Sequence, residues 1–309
     1  MGAPDGWLWL LSLPVLAWAL VTAGVGLTMA YALRRGRSEP RDSEQERVFA
    51  DAPRGALTAG RALLREGTLQ TLAFALQAVH PFLPRQRLAA GSGGDLVLLV
   101  PGYLENGGLL RPLARSLRRR GYAALAVDLP STLRALEENA DHLAAVAREA
   151  LARTGSERVA LVGHSMGGLV ARACAQRHPD LPVGALVSLC SPHRGTHLAR
   201  LGPGASARAM RPDSPTLRAL AGAARVPALS LVAAHDNIVS PAWSSVLPGA
   251  EHHLLERLVG HVGALFDPAV AARVAGWLEA VGLVPADACG EGVRAPSSGG
   301  ARARVDARS

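Results

Sequence analysis

Six short, mainly apolar runs, at residues 96–100, 123–127, 159–162, 185–189, 228–232 and 253–255, lack the alternation of apolar and polar side chains. A strand with one wet face alternates, so runs of this kind belong to a sheet buried on both faces. Between them, apolar residues recur at helical spacing at about 107–120, 132–153, 166–178 and 265–282. Ser131 is the expected N-cap of the second of these helices. Strand and helix in repeated alternation give parallel strands joined by helical crossovers. The expected fold class is therefore α/β, a three-layer sandwich with a mostly parallel sheet.

Composition narrows the function classes. Hydrophobic residues make up 49% of the 309 and charged residues 19%, which excludes a mainly disordered chain. The formal net charge is +8, but all 33 basic residues are Arg and none is Lys, a bias of composition rather than a built patch. No basic stripe interleaved with aromatics and no recognition motif is present, so nucleic acid is not an expected partner. Cys174, Cys190 and Cys289 stand far apart without metal-ligand spacing. Neither a structural metal, a disulfide framework nor a cofactor is expected.

Residues 7–33 contain no charge, and about 20 apolar residues suffice to cross a bilayer as a helix. Trp7, Trp9 and Tyr31 sit at its ends, where amphipathic rings favour the interface. Ala30-Tyr31-Ala32 offers a signal-peptidase pattern, but the run is too long for a signal core and its leader carries no Arg. The expectation is an uncleaved, single-pass anchor in a lipid bilayer, with a cleaved segment and a periplasmic or secreted domain as the alternative. Arg34, Arg35, Arg37 and Arg41 follow the run, which puts what comes after it on the cytoplasmic side. The expected domains are then an anchor (1–33), a juxtamembrane linker and helix (34–93) and a catalytic domain (94–285). The linker is polar over 34–53. A helix over 55–80, packed on the domain and stopped by His80-Pro81, precedes the boundary at Gly91-Ser92-Gly93-Gly94. Residues 286–309, poor in apolar side chains, are an expected disordered tail.

The chemistry concentrates at residues 158–170, RVALVGHSMGGLV. Here Gly163, Ser165 and Gly167 form G-x-S-x-G directly after a strand and at the start of a helix. A nucleophile on so sharp a turn needs glycine on both sides, because helix and strand pass close together. A serine hydroxyl needs a base to take its proton and an acid to orient that base, in the chain order Ser, Asp or Glu, His. Asp236, beyond the run at 228–232, and His261, before the last helix, satisfy that order at strand ends. Asp267 follows His261, Asp128 precedes Ser165, and Asp213 sits in an inserted segment. His164 is turned away by the elbow, His252 and His253 begin a strand, and His235 is a loop residue beside the acid. An oxyanion hole takes the amide after the nucleophile, Met166, and one from the loop after the first strand, Pro101-Gly102-Tyr103-Leu104. Proline has no N–H, and Tyr103 is the expected second donor.

These residues resemble those of serine esterases and lipases of the α/β-hydrolase superfamily, in the bacterial triacylglycerol lipase/EstA-like branch. The resemblance runs over about 94–283 and rests on PGYLENGG, VALVGHSMGGLVAR, SPHRGT and the segments around Asp236 and His261. It implies cleavage of carboxylic esters of medium or long acyl chains, lipids among them, through an acyl-enzyme; the anchor falls outside the resemblance and places the protein in a bacterial inner membrane. The stretch RPDSPTLRAL resembles that branch's lid, and 192–227 is the expected lid. Family members carry His-Gly where this chain has Pro101-Gly102, which removes a side chain that positions the oxyanion loop. Acyl transfer or thioester hydrolysis by the same three residues is one alternative activity. A catalytically idle fold serving protein interactions is another.

Overall fold

A computed structural model describes residues 8–52, 56–91, 94–255 and 259–286. Trp7, Ser92, Gly93, Cys289 and the tail from 287 onward, on which expectations were placed above, lie outside the described residues.

All six expected strands form one sheet: β1 (Leu96–Val100), β2 (Ala123–Ala126), β3 (Val159–His164), β4 (Val183–Leu189), β5 (Ala228–Ala233) and β6 (Glu251–Leu255). Their order is β2-β1-β3-β4-β5-β6, and every neighbouring pair is parallel. Each residue of β1 and β3 is buried, which is why neither alternates. One face carries α3 (Ala56–Val79), α4 (Gly107–Arg118) and α9 (Pro268–Ala280); the other carries α5 (Leu136–Thr154) and α6 (Met166–Arg177). Apolar side chains fill both interfaces, giving the three layers. Strand order reverses between β1 and β3, and a parallel sheet opens its binding crevice at the carboxyl ends there.

Two local expectations are corrected. Ser131 does not cap α5, which starts at Leu136 with Ala135 at its N-cap. Residues 131–135 are held out of the helix because the carbonyls of Leu133 and Arg134 accept the Ala205 N–H and the Ser206 hydroxyl. Ser131 instead accepts the Leu133 N–H in a turn. The stretch read as a polar linker is also structured. α1 (Leu8–Ser38) runs through its first residues, and α2 (Ser43–Val48) follows, closed by a reciprocal capping box between Asp42 and Gln45. Phe49 then buries itself edge-on against Trp243, over which the Arg41 guanidinium lies 4.4 Å from the ring centroid.

α1 is a candidate membrane span by length and composition over Leu13–Gly36. It also lies against the domain. Trp18 Nε1 donates to Thr68 on α3 at 3.0 Å, Asn237 Nδ2 donates to Thr28 at 3.2 Å, and Gly36 passes against the Trp243 ring. Val25, Met29 and Ala32 are buried on this inner face, where a Val or Met side chain contributes about 1.5–3 kcal/mol. Leu13, Leu16, Leu20 and Leu27, on the opposite face, are exposed.

Candidate active site

Ser165 stands between the last residue of β3 and the first of α6, with φ 53° and ψ −125°. A non-glycine residue is held in that region only when its surroundings over-determine it, and here backbone packing does so. A Cβ on Gly163 would lie 2.3 Å from backbone atoms of Gly167 and Gly168; one on Gly167 would lie 2.2 Å from the Val100 carbonyl. The strand, the elbow and the helix are thus closer than side chains permit. The first turn of α6 leaves the Met166 N–H without an intrahelical acceptor, next to Ser165.

Asp236 and His261 come together from the loops after β5 and β6. His261 Nδ1 lies 3.0 Å from both carboxylate oxygens of Asp236, and both residues are buried. Asp236 is itself fixed by the amides of Ile238 and Val239 at 2.9 and 2.7 Å. With Nδ1 committed to Asp236, Nε2 is the nitrogen left to take a proton, and Ser165 and His261 line one cavity. Burial opposes a charge on His261, but Asp236, with Glu105 and Glu66 further off, outweighs it and raises the pKa.

Two carboxylates that the sequence reading passed over hold this assembly. Glu66 on α3 is fully buried, and its oxygens accept the amides of Gly260, Val262 and Gly263, gripping the His261 loop at 3.1, 2.7 and 3.0 Å. Burial pushes its pKa up, against the pull of those amides and of His261. The available signal was a carboxylate on the apolar stripe of a helix, in register with Ala62, Leu69 and Ala73. Glu105 accepts the Gly102 N–H at 2.6 Å and faces His164 Nδ1 at 2.9 Å. Burial would raise its pKa, but His164 across the ion pair brings it below the ordinary value. His164 Nε2 in turn donates to the His261 carbonyl at 3.1 Å. The Glu105–His164 pair therefore ties the oxyanion loop to the elbow and to the His261 loop.

Gly102 permits that closeness: a Cβ there would fall 2.8 Å from the Ser165 Cβ. The Gly102 N–H goes to Glu105 and the Leu104 N–H to Thr132, and Tyr103, between them, lines the cavity. The rival acids are employed elsewhere. Asp128 pairs with His80 and accepts the Gly107 N–H, Asp267 caps α9, and Asp213 is exposed. Two triplets, Glu105/His164/His261 and Cys190/Asp236/His261, bring metal-ligand atoms within 4.8 Å of one another. The Glu105–His164 and Asp236–His261 pairs at their centres are already closed by hydrogen bonds that a cation would have to displace.

The cavity has a volume of about 470 Å³, within the range of small-molecule sites. Leu198, Ala207 and Met210, from the segment expected as a lid, form one wall; Val21, Gly24, Val25 and Thr28 of α1 and Phe74 of α3 form another. Ser165 and His261 line it with them. Within that segment, α7 (Gly204–Ala209) and α8 (Pro215–Ala219) are short helices.

Residues 95–209 match the sequence profile of the α/β hydrolase fold family. The chain is 41% identical over 59 residues to a triacylglycerol lipase of Pseudarthrobacter phenanthrenivorans, covering 19% of this chain and 18% of that protein. A triacylglycerol lipase of Burkholderia plantarii matches at 41% over 59 residues, 19% of this chain and 16% of the other. The alignments thus span less than a fifth of either relative's length. Among solved structures, lipase B of Aspergillus fumigatus superposes with a TM-score of 0.60 at 17% identity, covering 86% of this chain and 82% of that one.

Proposed function

The chain is an α/β-hydrolase by fold, and on that premise we propose that it is a serine hydrolase of carboxylic esters with medium or long acyl chains. The observation that carries this reading is the buried Asp236–His261 pair and a strained Ser165, with His261 and Ser165 both lining an apolar cavity. Ser165 Oγ attacks the ester carbonyl carbon while its proton passes to His261 Nε2. Asp236 holds the ring by Nδ1–H and stabilises the imidazolium. The oxygen that gains charge is received by the N–H groups of Tyr103 and Met166, each worth roughly 10²–10³ in rate. The carbonyl re-forms, the C–O bond to the alcohol breaks, and the alcohol leaves with the proton from His261. Water, deprotonated by His261, then attacks the acyl-enzyme and releases the acid. The lipase names of the two sequence relatives agree with an acyl ester substrate.

The chain's place is at a bilayer, through the apolar outward face of α1. A spanning α1, followed by its Arg cluster, puts the domain on the cytoplasmic side. The contacts from Trp18 to Gly36 favour a second arrangement, in which α1 stays on the domain and lies along the interface. Reporters fused before Met1 and after Ser309 separate the two: opposite sides for a span, the same side for an interfacial helix.

The test of the activity is hydrolysis of p-nitrophenyl esters by the full chain and by Ser165→Ala. Turnover is expected only in the first, with the variant's thermal unfolding unchanged. Equal turnover by both overturns the reading.

A further inference from the structure

We propose that α1 is part of the substrate site: its inner face is a wall of the acyl-binding cavity and sets the length of chain accepted. The proposal rests on the ester-hydrolase reading above, and it adds to that reading a helix lying wholly outside the matched 95–209 region.

Three observations carry it. Val21, Gly24, Val25 and Thr28, one turn of α1 after the next, line the cavity that Ser165 and His261 open into. This places an apolar strip of helix beside the reacting atoms, where an acyl chain must lie if its carbonyl is at Ser165. Second, α1 is tied to the catalytic loops. Asn237 donates to Thr28 with Nδ2 and, with Oδ1, accepts the His261 N–H at 3.4 Å. A single side chain, next in sequence to Asp236, thus joins the helix to the base. Third, the helix leaves room where it faces the cavity. A Cβ on Gly24 meets no atom within 4 Å, whereas one on Gly26, two residues on, would touch Leu63 of α3. Gly24 lines the cavity, so a side chain placed there has room at its rim.

The neighbouring stripe of the same helix, where Leu20 and Leu27 stand one turn to either side of Gly24, bears exposed leucines that would meet lipid. One helix therefore has acyl chain on its inner side and bilayer on its outer side. An anchor alone needs only the outer face; the glycine over the cavity and the Thr28–Asn237–His261 link serve the inner one.

The experiment measures kcat/KM of the full-length protein in detergent on p-nitrophenyl acetate, octanoate and palmitate. Gly24→Phe fills the open space, and the palmitate-to-acetate ratio is expected to fall at least roughly tenfold, the scale of discrimination for one or two methylenes in an apolar pocket. Val21→Ala enlarges the wall and is expected to move the ratio the other way. Leu16→Phe, exposed and two turns before Gly24, is expected to leave it within about twofold. Reaction with a fluorophosphonate checks that Ser165 remains assembled in each variant, and Val21→Ala carries the test if Gly24→Phe fails that check. An unchanged ratio in reactive Gly24→Phe and Val21→Ala shows that α1 is not a wall of the site. If the parent protein neither hydrolyses esters nor reacts, the hydrolase reading itself fails and the acyl wall with it.

Discussion

The two sides of the cavity that Ser165 and His261 line are held by different means. On the sheet side, Ser165 is fixed by backbone against backbone: Gly163 on Gly167 and Gly168, and Gly167 on the carbonyl of Val100. On the helical side, His261 is fixed by side chains that reach across the molecule. Glu66 grips its loop from 194 to 197 residues away, and Thr28 meets Asn237 across 209. Steric contact between backbones cannot be relaxed by degrees, because one methyl group already overlaps them. Hydrogen bonds from distant helices can be weakened singly. The first side is expected to respond to substitution all at once, and the second in graded steps visible in rate and pH profile.

The largest losses fall on the groups that move the proton. His261→Ala is expected to lower kcat by about 10⁶, as much as loss of the nucleophile, because the two act as a unit. Asp236→Asn, which leaves the ring but fixes the wrong tautomer, is expected to cost about 10⁴. Steady-state kinetics on one short-chain ester checks both, and a near-normal Asp236→Asn would remove Asp236 from the mechanism. An intermediate effect is expected for Glu105→Gln, which weakens the tie between the oxyanion loop and His164. The loss should fall mainly on kcat and stay within the roughly 10²–10³ attached to one oxyanion donor. A change confined to KM would show that Glu105 does not position that loop.

Glu66→Gln keeps the shape of the side chain and removes its charge. A hydrogen bond to a charged group is worth about 1.5–3 kcal/mol; the Gln oxygen keeps one side of the loop while its NH2 faces an amide N–H on the other, and the rate is expected to fall at least about tenfold. The sharper readout is pH. His261 must be neutral to act as base, so activity is lost as pH falls through its raised pKa, at a midpoint above the ordinary value near 6.5. Removing the Glu66 charge takes away one of the influences raising that pKa, and the acid limb is expected to move to lower pH. Stability runs the other way. A His whose pKa is higher folded than unfolded favours folding below the unfolded value, and that contribution disappears as pH rises through the folded pKa.

What was legible beforehand follows the same division. All six strands and the elbow could be read because local rules determine them: apolar runs without alternation, and glycines flanking a serine between strand and helix. Chain order at strand ends singled out Asp236 and His261, and the fold brings their side chains together. Glu66 was not singled out, because its partners are backbone amides nearly two hundred residues on, and an amide leaves no mark on the sequence. Glu105 was missed for a different reason: it meets the Gly102 N–H and the His164 ring only once its loop is folded against the elbow. The Ser131 cap failed where long-range contacts won, since the 204–206 backbone and side chain claim the carbonyls that a helix would have used. The docking of 41–49 was signalled by a capping box and a lone Phe49 in polar surroundings, read as a linker because charge dominated the stretch.

The measurement closest to the centre of this account is the position of a fluorophosphonate adduct on the full-length protein, read by mass spectrometry of its peptides. The account expects one adduct, on Ser165, formed in the unmodified protein and lost in His261→Ala. Ester cleavage by a protein whose adduct lies on another residue, or forms equally well without His261, would contradict it.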